Sequence, residues 1–232
     1  MNVAEPLHAK GDERRPMRRL PKRLIRHHLP IGMAVLLSSS LLFASHPSLE
    51  IIERFSFASA YPALVLVSLS LLIGPLKVIA GERVPVTMDF RRDIGIWAGM
   101  TGVFHAIVGQ FVHLRGRPWL YYVYENWRNE HFVPLRYDPF GLANHAGLSA
   151  ALILLLLLCL SNDASLRKLR TRGWKKLQRW NYACFALIAV HTLLYQLAIE
   201  RQTLPFVATA IIAIALTALI QGQGYRFRRY LQ

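Results

Sequence analysis

Six apolar stretches alternate with polar, mostly basic segments: residues 30–46, 60–79, 93–113, 141–160, 181–198 and 205–221. ALILLLLLCL (151–160) and ATAIIAIALTALI (208–220) lie in runs long enough to cross a bilayer, which takes about 20 apolar residues as a helix. The pattern predicts an all-α polytopic membrane bundle of six transmembrane helices. Pro75 is expected to kink the end of the second span. The stretch LEIIERFSF, within 48–59, mixes charges and apolar residues and is expected to lie in the membrane interface. The longest connection, 114–139, carries Trp119, Tyr121, Tyr122, Tyr124, Trp127 and Phe132. It reads as an aromatic belt at the membrane surface, with a docking surface for a partner as the functional alternative.

Composition agrees with this class: 53% of the 232 residues are hydrophobic and the mean hydropathy is +0.28. A formal charge of +15 would suit nucleic acid, but the cations cluster beside the spans and read as topology signals. The leader 1–29, the 77–92 and 162–179 loops and the tail 223–232 hold most of the Lys and Arg. Six spans with both termini cytoplasmic satisfy these loops. The expected organisation is a basic cytoplasmic leader (1–29), a transmembrane domain (30–222) and a basic cytoplasmic tail (223–232). The leader's last turn is expected to rest on anionic headgroups, with His27 and His28 as solvated surface residues. No cleavable signal peptide is read in it. Cys159 and Cys184 fall inside spans and are expected to be small buried core residues.

Two histidines stand deep in apolar spans. His105 lies fourteen residues past Arg91, and His191 thirteen past Gln178. With the expected topology these two spans run parallel, so each imidazole sits about 20 Å from the inner face, in the outer half of the hydrocarbon core. A polar group at that depth is costly unless something uses it. Two at one level on parallel helices suit a bis-histidine haem, one axial nitrogen from each. Gly99, Gly102, Ala106, Gly109, Ala183, Ala186 and Ala189 could let a flat macrocycle approach, although such residues also serve helix packing. The competing reading is two buried histidines bonded to carbonyls of neighbouring helices. His145 and His113 also fall in the outer half. Either could assist a second haem or bond a propionate or quinone, or be an interface histidine with no ligand role.

These residues carry a resemblance. The pattern Arg91–Arg92–Asp93–Ile94–Gly95 followed by His105, then Leu160–Ser161–Asn162–Asp163, Leu166–Arg167, Trp174, Leu177–Gln178–Arg179, Tyr182 and His191, resembles the ferric-reductase-like transmembrane domain. The nearest branch is the haem-binding membrane subunit of bacterial methionine-sulfoxide reductase systems, and the likeness covers about residues 60–220. It implies haem b with His105 and His191 as metal ligands, His145 being a further candidate. It also implies a bacterial inner membrane and electron flow from a cytoplasmic reductase or quinol donor to a periplasmic oxidoreductase or small acceptor such as ferric iron. The chain departs from that family at Gln178, where a histidine is frequent, so one outer haem is expected rather than two. The remaining distance to the cytoplasmic face then calls for a relay, with FMN or a quinone near Gln178, Arg92 and Trp174. Propionates would pair with Arg115 or Arg117.

No G-x-G-x-x-G motif or soluble segment long enough for a nucleotide-binding domain is read in the chain, so the donor is expected to be separate. The rival function is a non-redox transporter or assembly factor with structural histidines. Against it, no Asp or Glu lies mid-span, where ion-coupled transporters carry them.

Overall fold

Apolar runs of this length fold as helices, and the computed structural model of the chain is helical over most of the residues it describes, which are 22–80, 86–199 and 204–230. Most of the expected leader, the middle of the 77–92 loop and the turn before the last span lie outside those residues. The principal helices are α1 (Leu24–Ser45), α2 (Ile51–Ala80), α3 (Met88–Gly109), α4 (Pro139–Leu160), α5 (Asp163–Gln178), α6 (Trp180–Leu193) and α7 (Leu204–Tyr230). α6 continues through a π-turn, Leu194–Ala198. The only pairing between extended segments among the described residues is an isolated bridge, Val123 to Leu135.

Five helical runs are long and apolar enough to cross a membrane: Leu24–Ser45, Ile51–Ala80, Pro139–Leu160, Arg172–Ala198 and Leu204–Tyr230. The expectation was six. The remaining helix, α3, carries Arg91, Arg92, Asp93 and His105 and falls short on composition. Its polar side chains find partners on α1, α2, α4 and the start of α5.

The stretch at 48–59 is not a separate interfacial segment. α2 starts at Ile51 and runs without a break to Ala80, with Pro62 and Pro75 inside it. Its charge at Arg54 serves helix packing: the guanidinium donates to the Phe43 carbonyl at 3.0 and 2.9 Å and lies 3.9 Å over the Phe43 ring. This ties the end of α1 to the start of α2.

α2 is the central helix, packed against α1, α3, α6 and α7. Val67 and Leu71 of α2 join Ile94 and Ala98 of α3, Ala150 and Leu154 of α4 and Cys184 of α6 in one core. Cys184 is buried as expected, its thiol 3.6 Å from the Ala150 carbonyl, whereas Cys159 is exposed. Glycines set the closest approaches. A methyl on Gly99 or Gly102 would meet Leu158 or Leu154 of α4 at 3.2 or 2.7 Å, and one on Gly32 would meet the Trp97 ring at 2.7 Å. Gly99 and Gly102 are therefore helix-packing positions rather than room for a macrocycle.

The first turns of α3 carry the charge that locks one end of the bundle. Asp93 is fully buried and receives Arg23, whose Nε lies 2.9 Å from both carboxylate oxygens, His27 Nδ1 at 2.7 Å and His28 Nε2 at 3.2 Å. The leader's last residues are thus seated on α3 instead of solvated, and the helix already begins at Leu24. This removes the expectation for His27 and His28. A buried carboxylate tolerates its position only because several donors surround it. Arg92 donates to the Ser161 carbonyl (3.1 and 2.9 Å) and to Asp163 (2.7 Å), fastening the α4–α5 corner.

Replacing Asp93 with Ala removes the one acceptor shared by three donors at the start of α1, Arg23, His27 and His28. We expect a loss of about 3 kcal/mol of stability and new tryptic cleavage at Arg23 or Arg26, measured on detergent-solubilised protein. Unchanged cleavage would show that α1 is held by apolar packing alone.

Candidate functional site

The two deep histidines meet. His105, one turn before the end of α3, and His191, near the end of α6, have ring centroids 6.2 Å apart with planes at 73°. Each Nδ1 is held by a backbone carbonyl on a different helix: His105 by Ser56 of α2 at 3.0 Å, and His191 by Ala143 of α4 at 2.8 Å. The Ser59 hydroxyl lies 3.4 Å from His105 Nδ1 while bonding back to the Phe55 and Ser56 carbonyls. Carbonyl oxygens only accept, so Nδ1 must carry the proton on both rings. Each Nε2 is then a bare lone pair, and among the described residues neither forms a hydrogen bond.

Gly147 makes this placement of His191 possible. A methyl there would come within 2.6 Å of His191 Nδ1. Gly147 was not singled out from the sequence, yet it belongs to the small-residue face Ala143, Ala146, Gly147, Ala150 at helical spacing, which is the α4 surface against α6. Farther along, the Tyr195 ring sits 4.9 Å from His191, and its hydroxyl donates to Asn144 at 3.0 Å.

The third proposed metal ligand does not join the pair. His145 packs against Tyr122, with centroids 5.5 Å apart, and among the described residues no three His, Cys, Asp or Glu side chains converge as a metal site. His113 lies beside Tyr121 and Phe140. Arg117 pairs with Glu125 at 2.5 Å, while the side chain of Arg115 lies outside the described residues.

The residues expected at the relay separate into two groups. Arg92 and Trp174 both bind the α4–α5 corner, Trp174 Nε1 donating to the Leu160 carbonyl at 3.2 Å. Gln178 instead lines a cavity of about 30 Å³ together with Ser70, Gly95, Ser161 and Asn181. That volume accommodates one or two waters. Gly95 and His105 are ten residues apart on α3, so the cavity lies about 15 Å along the bundle from the histidine pair.

The connection after α3 folds into a cap over that end. Tyr121 is fully buried against Phe140, and its hydroxyl receives the His113 backbone N–H at 2.6 Å. The Tyr122 hydroxyl donates to Gln110, and Arg136 donates to the Leu120 carbonyl. Trp119 and Phe132 remain exposed. The aromatic segment thus mixes cap and exposed surface, a division its composition did not reveal.

Two imidazoles facing across this distance can grip one metal ion. A metal–imidazole bond of about 2 Å on each side, plus the half-width of each ring, spans about 6 Å between centroids. A bare zinc ion would need further ligands to complete a tetrahedron, whereas a metal already held in a macrocycle needs only two axial donors. The Nδ1–H to carbonyl bond is the outer contact that fixes the tautomer of metal-ligating histidines. The pair therefore offers two neutral nitrogen donors at a spacing that a metal held in a macrocycle would use. Comparison with family models, with curated proteins and with solved structures gives no match.

Asp138 caps α4, accepting from the Gly141 N–H at 2.7 Å and from Arg136. Partial burial raises its pKa, but the bonds from Arg136 and Gly141 outweigh this and hold it below 3.8. A depressed pKa contributes stability that is present above the ordinary value and lost as pH falls through the folded one. The cap should hold at neutral pH and loosen below about pH 4, read as faster amide exchange over 117–137. Asp138→Asn should flatten that dependence.

Proposed function

We propose that this chain is a haem b-binding membrane electron-transfer subunit, with His105 and His191 as the axial ligands. The observation that carries the reading is the 6.2 Å separation of the two rings, with each Nδ1 bonded to a carbonyl. Histidines that only satisfy themselves through carbonyls have no reason to be brought together as a pair. The resemblance to the ferric-reductase-like transmembrane domain supports the same reading, and so does the membrane character of five helices.

In this proposal α3 is the sixth span. The basic leader, α5 and the tail face the cytoplasm, and the cap over 110–138 faces outward. When bound, the haem supplies a one-electron couple. The chain's own residues orient the imidazoles through Ser56 and Ala143, keep them neutral and shield them with the bundle and cap. Electrons would come from a cytoplasmic reductase or membrane quinol, with the water-sized cavity at Gln178 lying on the donor side. The acceptor would be a periplasmic oxidoreductase, a methionine-sulfoxide reductase being the one the resemblance favours, or a small oxidant.

Purified protein from haem-replete cells should show the visible bands of low-spin b-haem, lost in His105→Ala and in His191→Ala. A colourless wild type would return both histidines to a structural role. Gly147→Val, which leaves both ligands in the sequence, should crowd the His191 ring and lower haem content severalfold. Full haem occupancy in that variant would mean the ring is placed differently.

A further inference from the structure

The third charge of the α3 start, Arg91, is the odd one. Its neighbours Arg92 and Asp93 have ionic partners, but among the described residues no carboxylate pairs with Arg91. Its Nε donates to the Ser70 carbonyl of α2 at 3.0 Å, leaving the two Nη groups as donors. These lie against Gly74, where a methyl would meet Nη1 at 3.4 Å and Nη2 at 3.6 Å. Tyr182 near the start of α6 and a second cation, Arg228 near the end of α7, belong to the same end of the bundle.

Helix packing builds this arrangement. Gly224 of α7 rests directly on Pro75 of α2, with no room for a side chain between them. Arg228 follows one turn later on the same face. α7 runs parallel to α2 here, so the Arg228 backbone stands a turn beyond Pro75. Helical side chains lean toward the N-terminus, which is the direction of Gly74 and Arg91. Gln221 Nε2 donates to the Leu71 carbonyl at 2.6 Å and fixes the same register. A guanidinium taken out of water is costly without an anion, and a second cation beside it raises that cost. Its planar pair of Nη donors matches two oxygens of a phosphate.

We propose that Arg91, with Arg228, forms a binding site for a phosphate-ester oxyanion at the basic end of the bundle, between α2, α3 and α7. The oxyanion comes either from a phospholipid headgroup or from a soluble phosphate compound. The site is independent of the haem reading, since the histidine pair lies at the opposite end of α3.

The test uses full-length protein in maltoside micelles. Retention of phosphatidylglycerol is followed by native mass spectrometry, and binding of inorganic phosphate by calorimetry. At least one should bind the wild type. Arg91→Gln should weaken it by about ten- to hundredfold, the equivalent of one or two hydrogen bonds to a charged group. Arg91→Lys should fall between, because it keeps charge but loses the fork. Arg228→Gln, on an exposed turn of α7, should weaken binding severalfold without touching α3, and it tests the proposal even if Arg91→Gln does not fold. Binding of lipid alone assigns a headgroup, and binding of free phosphate assigns a soluble ester. If neither probe binds the wild type, or if the Gln variants bind as well as the wild type, the site does not exist.

Discussion

Bringing two neutral imidazoles together edge-on inside a helix bundle is the constraint on which the rest of this structure depends. Each ring has one donor and one acceptor, and both must be placed. The donors go to the Ser56 and Ala143 carbonyls, which lie in helix turns and accept through a second lone pair. Four helices are therefore committed at one level: α3 and α6 supply the rings, and α2 and α4 supply the carbonyls. Gly147 is required because any side chain there would occupy the His191 position.

The opposite end of α3 solves a different problem with the same economy. Three consecutive charged residues leave the helix in three directions, to α2, to the α4–α5 corner and to α1. The polarity that keeps α3 from resembling a simple transmembrane segment is what joins it to the other helices. A helix that carries its charge into protein rather than lipid avoids the cost that would otherwise exclude it.

Much of the fold was legible in the pattern of apolar runs. Helix positions follow from length and composition, and the common level of His105 and His191 follows from residue counts along the two helices. The readings that failed depended on side-chain partners distant in sequence. His27 and His28 looked like members of a solvated basic leader, because nothing local announces that Asp93 lies across from them. The 48–59 stretch looked separate from the second span, because nothing local shows that α2 already begins at Ile51 or that Arg54 reaches the Phe43 carbonyl. Gly99 and Gly102 looked like room for a ligand, and the space is filled by Leu158 and Leu154.

The candidate site divides along the same line. The amino-acid sequence alone determined that the chain is a bundle of apolar helices with two histidines at a common level, since helical rise and hydrophobicity are local properties. Tertiary structure decided that the rings meet edge-on with each Nδ1 on a carbonyl, that His145 packs against Tyr122, and that Arg92 and Trp174 hold a helix corner while Gln178 lines a cavity. Those outcomes rest on the rotation of each helix about its axis. Contacts between residues far apart in the chain set that rotation, through glycine approaches and carbonyl bonds that no periodicity encodes.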